Sequence, residues 1–318
     1  MFMKAKRLLI AAVAVTVPLL AGVASAQDQG LISIIVNDRS NPYWFTEAKI
    51  AKETAVELGY RAKVSSHKGD TNTESRQIDT AITNQADAII LDPANADGSI
   101  GAVRKAVDAG IPVFIINAEI NQQGLAKAQL VSNNAQGAAL GAQQWVQIVG
   151  DSGKYVELKG PPSDNNAATR SNGFETVLSQ YPELKKVASD VASWDRTQGF
   201  NKMQSMLQAH PNIDGVISGN DEMALGAISA LKQAGKLDEV VVGGFDGSPA
   251  AIDAIKAGEL AYTVLQPVAI FAERAVQLAD TFIRTGEIPL DGEKQLFDCF
   301  LITPDNVDQM TSPFVLEQ

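Results

Sequence analysis

Short apolar runs alternate with longer segments of helical periodicity from about residue 31 to the end of the chain. The apolar runs are rich in Val, Ile and Leu, which is typical of strands buried on both faces. They lie at Leu31–Val36, 62–65, Ala88–Leu91, Val113–Ile116, 129–131, 155–158, 187–191, Gly215–Ser218, 240–242, 262–265 and 297–302. Helices are predicted at 44–58, 74–84, 97–110 with Asp97 as its cap, 135–149, 168–180, 197–209 and 269–284. Strands separated by single helices predict an α/β protein with doubly wound parallel sheets.

The alternation also predicts two lobes rather than one domain. A chain of 318 residues exceeds one typical domain. The pattern at 87–117 recurs weakly at 214–246, although any two βαβ units share such a pattern. We expect the chain to pass between the two lobes near 131–133, 266 and 297–298. These segments lack the composition of a flexible tether, so we expect short hinge strands there. We expect residues 27–132 and 267–298 in the first lobe and residues 133–266 and 299–318 in the second.

The first 26 residues have the composition of an export signal. Three basic residues precede an apolar run over 8–23, and Ala24 and Ala26 are the small residues that signal peptidase recognises. A membrane-spanning helix needs roughly 20 apolar residues, and this run is somewhat short. The alternative is an uncleaved anchor. We expect a periplasmic protein whose signal peptide is cleaved after Ala26.

Charge and composition argue against several classes of function. The formal net charge of −11 disfavours nucleic acid as a partner, because a phosphate-binding surface needs clustered Lys and Arg. His67 and His210 lie far apart without metal-ligand spacing, so we expect surface histidines. Cys299, the only cysteine, has apolar neighbours and is expected in a buried strand. The sequence contains neither a dinucleotide fingerprint nor a P-loop, and we expect no catalysis, metal or cofactor.

Polar side chains follow several strands of the second half of the chain. Asn220 and Asp246 each follow a β-branched run, and Gln266 follows the next strand. In an open parallel sheet, ligands bind outside the carboxyl ends of the strands. Carboxylate and amide groups there indicate a ligand rich in hydroxyl groups. The alternative, that such residues only cap helices, is favoured for Asp195 and Asp221.

An aromatic cluster follows the first strand, where Asn41-Pro42 leads into Tyr43, Trp44 and Phe45. Neighbouring side chains on a helix point about 100° apart, so the three rings cannot all face the core. We expect Phe45 to point inward as part of a hydrophobic staple. At least one of Tyr43 and Trp44 should then face the strand ends, where a flat ring suits the apolar face of a sugar or polyol.

Further candidates lie in the second half of the chain. Asn166 lies just before a helix that carries Arg170, and Trp194 is a large aromatic in a polar turn. A guanidinium group donates bidentate hydrogen bonds of the kind that vicinal hydroxyls accept. Together with Asp246 and Asn220, these residues predict a site for a small polyhydroxylated ligand.

At these residues the chain resembles the ribose-binding family of periplasmic sugar-binding proteins, which serve ABC importers and have the type I periplasmic-binding fold. The resemblance covers nearly the whole chain after residue 30. Its most specific parts are Asn41-Pro42-Tyr43-Trp44, Arg170 shortly before Gly173-Phe174, Trp194-Asp195-Arg196, Asn220-Asp221-Glu222-Met223-Ala224-Leu225-Gly226 and Gly244-Phe245-Asp246-Gly247.

The resemblance implies two similar doubly wound lobes joined by a multi-strand hinge. It implies that a monomer captures a monosaccharide or sugar alcohol between the lobes and delivers it to a membrane permease without catalysis. The candidate ligand-binding residues are Asn41, Tyr43, Trp44, Asn117, Asn166, Arg170, Trp194, Asn220, Asp246 and Gln266. The family usually has Arg directly after the Asp or Asn of the fourth strand, whereas Ala118 and Glu119 follow Asn117 here. This departure argues against ribose itself and favours a sugar alcohol or a different pentose.

Three other functions fit parts of the pattern. A sugar-responsive transcription regulator shares the two-lobed fold but needs an amino-terminal helix-turn-helix, where this chain has an export signal. A secreted carbohydrate enzyme would need a pair of carboxylates, whereas acids at helix starts, such as Glu222, are more often caps. A protein that presents a sugar to a chemoreceptor differs from our interpretation only in its partner.

Overall fold

The computed structural model describes residues 30–317, so the expected signal peptide lies outside the described residues. The strands are β1 (Leu31–Val36), β2 (Arg61–Ser66), β3 (Ala88–Leu91), β4 (Val113–Ile116), β5 (Ala128–Ser132), β6 (Ser152–Lys159), β7 (Glu183–Val191), β8 (Gly215–Ser218), β9 (Val241–Gly243), β10 (Thr263–Leu265), β11 (Lys294–Phe297), β12 (Phe300–Ile302), β13 (Met310–Ser312) and β14 (Val315–Leu316). The helices are α1 (Pro42–Glu57), α2 (Thr71–Thr83), α3 (Ile100–Asp108), α4 (Asn134–Val149), α5 (Asn165–Leu178), α6 (Arg196–Ala209), α7 (Asp221–Gln233), α8 (Pro249–Lys256) and α9 (Val268–Thr285). Short 3-10 helices lie at Leu237–Glu239 and Val307–Gln309.

Two parallel sheets organise these elements. The first has six strands in the order β11-β5-β4-β3-β1-β2, and each neighbouring pair is parallel. The second has four parallel strands in the order β7-β6-β8-β9. Single bridges from Gly243 to Tyr262 and from Asp246 to Leu265 bring β10 alongside, and β10 pairs antiparallel with β12. This confirms the predicted α/β fold class, and each sheet with its helices is called a lobe below.

Helices cover both faces of the first sheet, which explains why its central strands carry continuous apolar runs. Alternate side chains of β1 point to opposite faces. Ile34 packs in the apolar cluster of α1 and α9, and Ile35 packs in the cluster of α2 and α3. Within residues 30–317, no helix has the length and hydropathy that crossing a membrane requires.

The described chain passes between the sheets after β5, after β10 and between β11 and β12. The helix after β5, α4, packs on α5 of the second lobe, whereas the helix after β10, α9, packs on α1 of the first. These passages fall where short hinge strands were predicted, near 131–133, 266 and 297–298. The residue boundaries of the two lobes stay a prediction.

The structure corrects three local expectations. Helix α1 begins at Pro42, earlier than predicted, because the Asn41 side chain caps it and Pro suits the first helical position. Asp97 does not cap α3, which follows Ser99; its carboxylate instead accepts a hydrogen bond from Asn121 Nδ2 at 2.8 Å. The predicted strand 297–302 is two strands in different sheets, and Cys299 lies between them. That thiol is buried as expected, and burial raises its pKa to about 12.

Candidate functional site

One cleft between the lobes collects the candidate binding residues. It lies at the carboxyl ends of both parallel sheets, and the space between its walls, part of which is open to solvent, measures about 260 Å³. Its walls are Asn41, Tyr43, Trp44, Asn117, Asp164, Asn166, Arg170, Trp194, Asn220, Asp246 and Gln266. All ten candidates therefore meet at one place. Among residues 30–317, Asp164 is the wall residue that sequence reasoning left out.

The two lobes touch each other beside this cleft. The amide N–H of Ala96 in the first lobe donates to the carbonyl of Ser163 in the second at 3.0 Å. Asn165 Nδ2 of the second lobe donates to Asn121 Oδ1 of the first at 2.7 Å. These direct bonds close one side of the cleft, so a ligand inside it would be largely shielded from water.

The first-lobe wall is aromatic. Tyr43 and Trp44 are buried, and their rings stand edge to face with centroids 6.5 Å apart. The expectation for Phe45 was wrong: its side chain is 53% exposed, because the buried stripe of α1 continues from Tyr43 and Trp44 to Glu47 and Ala48. Trp44 Nε1 is buried and has no hydrogen-bond partner among the described residues. An indole N–H can only donate, so a ligand oxygen would satisfy it.

Asn117 stands at the end of β4 in the left-handed region of backbone space, with φ +63°. Its side chain accepts from Tyr43 Oη at 3.0 Å and donates to Asp92 Oδ2 at 3.2 Å. Burial raises the pKa of Asp92 well above its usual range, and the Asp164 carboxylate adds to the rise. Glu119 forms an ion pair with Lys294 at 2.6 Å and does not line the cleft. Among the described residues, Arg170 is the one arginine of the cleft wall, and Ala118 does not line the cleft.

Arg170 is held rigidly in the second-lobe wall. Its Nε donates to Asn134 Oδ1 at 2.7 Å, and its Nη1 donates to the Gly219 carbonyl at 2.7 Å. The guanidinium carbon lies 4.0 Å from the ring centroid of Phe245 and 5.1 Å from that of Trp194. Stacking and hydrogen bonding together fix the plane of the guanidinium group. Its Nη2 makes neither of those bonds, and Arg170 lines the cleft.

Asp246 and Gln266 form a second-lobe group of hydrogen-bond acceptors. Asp246 has φ +129°, and its Oδ1 accepts from Gln266 Nε2 at 2.7 Å and from Arg170 Nη1 at 3.4 Å. Burial raises the pKa of the Asp246 carboxyl, while the Arg170 guanidinium opposes the rise. Gln266 Oε1 is buried with no hydrogen-bond partner among the described residues. A ligand hydroxyl that donates a hydrogen bond would satisfy this oxygen.

Trp194 provides the second aromatic face, and its position depends on two glycines. A Cβ at Gly160 would lie 2.0 Å from the Trp194 ring, and a Cβ at Gly219 would lie 2.9 Å from it. Trp194 Nε1 donates to Asp164 Oδ2 at 3.1 Å. The other Asp164 oxygen caps α5 by accepting from Asn166 N at 2.9 Å. An Asp just before a helix predicts a helix cap, so the sequence pattern does not predict that Asp164 lines the cleft.

Asn166 and Asn220 serve the architecture of the cleft as well as its wall. Asn166 accepts from Asn134 Nδ2 at 2.9 Å and donates to the Asn117 carbonyl of the first lobe at 3.3 Å. Asn220 caps α7: its Oδ1 accepts from Met223 N at 2.9 Å. Asn220 therefore caps a helix, and Asn166 links the two lobes. These structural roles leave both side chains in the cleft wall, where they can also contact a ligand.

The expectation that Asp221 caps a helix was wrong, whereas Asp195 does cap α6. Asp221 follows the true cap, Asn220, and is buried. Its carboxylate accepts from Ser248 N at 2.7 Å and from Thr263 Oγ1 at 2.6 Å. It therefore ties the loop after β9 to β10 instead of ending a helix.

The expectation of a surface position for His67 was also wrong. The ring is buried, with Nε2 2.7 Å from the Asp92 carbonyl and Nδ1 accepting from Gly69 N at 3.0 Å. These partners select the neutral form with the proton on Nε2, and burial lowers the pKa of His67. Among residues 30–317, no group of three His, Cys, Asp or Glu side chains is placed to hold a metal ion.

The arrangement suits binding of a neutral polyhydroxylated molecule. Two indole rings offer flat faces, Trp44 Nε1 and Arg170 donate, and Asp246 and Gln266 accept. The ionisable groups in and behind the wall include three carboxyl groups, at Asp92, Asp164 and Asp246, and one guanidinium, at Arg170; Asp164 is half-buried and the other three are buried. An anionic ligand would meet this negative excess, whereas hydroxyl groups can satisfy donors and acceptors alike.

Comparison with known proteins agrees with this geometry. Residues 32–287 match the family described as periplasmic binding protein domain, which is more than half of the chain. The chain belongs to this family. Membership in the periplasmic binding protein family confirms the type I two-lobed fold and the resemblance to sugar-binding proteins of ABC importers. The family also implies a periplasmic location.

Several relatives are similar over nearly their whole length. A D-apiose import binding protein from Actinobacillus succinogenes is 49% identical over 284 residues, which cover 89% of this chain and 91% of that protein. Another from Paraburkholderia graminis is 46% identical over 308 residues, which cover 97% and 98%. A crystal structure of an ABC transporter periplasmic solute-binding protein from Actinobacillus succinogenes with bound D-allose has a TM-score of 0.82 at 28% identity, covering 88% of this chain and 99% of that one. These relatives are sugar-binding transport proteins and not enzymes.

Proposed function

We propose that this chain captures a small neutral sugar, with D-apiose as the first candidate, for an ABC importer. The observation that carries the proposal is a cleft lined by Trp44 and Gln266, whose buried Nε1 and Oε1 atoms have no hydrogen-bond partner among the described residues. Leaving a buried polar group unsatisfied costs about 1–3 kcal/mol, which a ligand hydroxyl would recover. Relatives at 49% and 46% identity that are named for D-apiose import supply the candidate ligand.

In this proposal the sugar lies between the indole faces of Trp44 and Trp194. Arg170 Nη2 and Trp44 Nε1 donate to ligand oxygens, and Asp246 Oδ2 and Gln266 Oε1 accept from ligand hydroxyls. Arg170 and Asp246 are already held by protein partners, at 2.7 Å to Gly219 and 2.7 Å from Gln266. Because these groups are ordered before the ligand arrives, little conformational entropy is lost when it binds.

Two features, the identity of the residue after Asn117 and the charge of the wall, favour a neutral sugar other than ribose. The small side chain of Ala118 removes the arginine donor that ribose-binding relatives use, so a ribose ring would leave one of its oxygens without that partner. The carboxylates of Asp164 and Asp246 outnumber the guanidinium of Arg170, so a carboxylate on the ligand would be repelled. A neutral branched pentose, with its hydroxymethyl and tertiary hydroxyl groups, meets both conditions.

The remaining parts of the proposal concern transport. We infer that the signal peptide is removed after Ala26, that the mature protein works as a monomer in the periplasm, and that closed, liganded protein docks on a membrane permease. Catalysis plays no part, since the cleft serves to hold and release its ligand unchanged. Presentation of the sugar to a chemoreceptor stays a prediction.

A thermal-shift screen tests the proposal. Mature protein is heated with D-apiose, D-ribose, D-allose, xylitol and an aldonic acid. A ligand present at 100 times its dissociation constant adds about 2.7 kcal/mol to the free energy of unfolding, which raises the melting temperature by several degrees. We expect the largest shift with D-apiose and none with the aldonic acid. Equal melting temperatures with all five compounds would contradict the proposal.

A further inference from the structure

The chain continues after β12 into a short hairpin, formed by β13, the residues Pro313 and Phe314, and β14, and called the C-terminal hairpin below. Its base is fixed to the second lobe. Asn306 Nδ2 donates to the Leu301 carbonyl at 2.9 Å, and the Val307 side chain is buried. The 3-10 helix Val307–Gln309 also packs on α8. The hairpin therefore moves with the second lobe.

The tip of the C-terminal hairpin has an unusual residue. Pro313 and Phe314 form its two-residue turn, and Phe314 has φ +62°. Turns with this geometry strongly favour Gly or Asn at the second position, and a bulky residue there carries backbone strain. Phe314 is nevertheless only 1% exposed. Strain at a buried aromatic persists only when the surrounding contacts hold it, and such sites are often functional.

Phe314 packs in an apolar cluster with residues of both lobes, and its aromatic contact lies on the first lobe. Its ring stands edge to face against Tyr43, with centroids 5.6 Å apart and an angle of 86° between the planes. Tyr43 belongs to α1 of the first lobe and lines the cleft. Tyr43 Oη donates to Asn117 Oδ1 at 3.0 Å, so the ring links the hairpin tip to the strand end that faces the ligand.

We propose that Phe314 is a positioning residue for the ligand site. Carried by the second lobe, it presses on Tyr43 of the first lobe when the lobes are closed, and Tyr43 in turn fixes Asn117. When the lobes open, this contact breaks. The hairpin thereby favours the closed, sugar-holding arrangement without touching the sugar. This inference rests on the proposed function.

The first test replaces Phe314 by Ala, with Val315→Ala as the matched control, since Val315 lies in the same hairpin but is 37% exposed. Calorimetry and stopped-flow tryptophan fluorescence measure affinity and release of D-apiose. Loss of an edge-to-face aromatic pair and its buried area should weaken binding about tenfold in Phe314→Ala, almost entirely through faster release. Val315→Ala should bind as the wild type does. Equal affinity in Phe314→Ala and the wild type would overturn the inference.

Two further measurements separate positioning from a merely structural role. Because Phe314 is buried, Phe314→Ala should lower the melting temperature without ligand, and the rise in melting temperature on adding D-apiose should also be smaller than in the wild type. A large drop in ligand-free melting temperature with unchanged affinity would overturn the inference.

Tyr43→Phe keeps the ring and removes the hydrogen bond to Asn117. In a Tyr43→Phe background, Phe314→Ala should therefore weaken D-apiose binding less than about threefold. The same tenfold loss there would show that Phe314 does not act through Tyr43 and Asn117. If the wild type itself binds no sugar of the panel, the proposed function fails instead.

Discussion

Replacing Asp246 by Asn should weaken sugar binding strongly while preserving the fold. The Asn oxygen can still accept from Gln266 Nε2, which now donates to Asp246 Oδ1 at 2.7 Å. Arg170 keeps its bonds to Asn134 and Gly219, so the wall should hold its shape. The charged acceptor at Oδ2 is lost. Hydrogen bonds to charged groups contribute about 1.5–3 kcal/mol, which corresponds to a roughly 10- to 100-fold rise in the dissociation constant.

Calorimetric titration of D-apiose at pH 7 measures this change. The control is Asp308→Asn, which removes the same charge from the same lobe at a side chain that is 89% exposed and paired with Lys256. Exposed pairs contribute little, so the control should bind within about twofold of the wild type. Melting curves without ligand verify that both variants fold. The reasoning is refuted if folded Asp246→Asn binds within about threefold of the wild type, or if both variants lose affinity equally.

Three further changes should behave as follows. Trp44→Phe keeps a flat ring but removes the indole N–H, so D-apiose binding should weaken about tenfold in calorimetry; Trp145→Phe, which removes a similarly unpartnered buried N–H from the second-lobe core, should leave affinity unchanged. Gly160→Ala places a methyl group 2.0 Å from the Trp194 ring, so affinity should fall at least tenfold, and an unshifted Trp194 fluorescence spectrum would argue otherwise. Burial raises the pKa of the Asp221 carboxyl from 3.8 to about 7, so the folded protein binds the carboxyl proton more tightly than the unfolded chain does. The contribution of Asp221 to the free energy of unfolding therefore falls as the pH rises from about 4 to about 7. Urea titrations should therefore show that the free energy of unfolding declines less from pH 5 to pH 8 in Asp221→Asn than in the wild type. An identical decline in both proteins would argue against the raised pKa of Asp221.

The position of the cleft could be predicted because the relevant signals are local. Apolar runs identify parallel strands, and ligands bind at their carboxyl ends, so Asn117, Asn220 and Asp246 could be placed without coordinates. The aromatic pair Tyr43 and Trp44 could be placed because adjacent helical positions cannot all face the core.

The errors concern side chains whose surroundings come from distant parts of the chain. Asp221 is buried against Ser248 and Thr263, and His67 against the Asp92 carbonyl, and no local pattern announces such partners. The hydrophobicity of Phe45 predicts an inward side chain, whereas its angle on α1 leaves it 53% exposed. A single sequence predicts that a helix has a buried apolar face better than it predicts which residues lie at the border of that face.

The backbone conformation at the cleft could not be predicted from local sequence patterns either. Asn117, Trp194 and Asp246 all have positive φ values, of +63°, +62° and +129°. Such conformations are uncommon outside glycine and persist where packing holds them. The space for the Trp194 ring depends on Gly160, which precedes it by many residues. Contacts of this kind appear only when the fold brings the segments together.

A calorimetric titration of D-apiose into the mature wild-type protein measures directly whether the cleft binds this sugar. We expect a saturable exothermic signal with one sugar per chain and a dissociation constant in the micromolar range or below, which corresponds to about 8 kcal/mol of binding free energy or more. D-ribose should bind at least tenfold more weakly, because the side chain of Ala118 provides no hydrogen-bond donor after Asn117. No saturable heat with D-apiose, or tighter binding of D-ribose, would contradict the account.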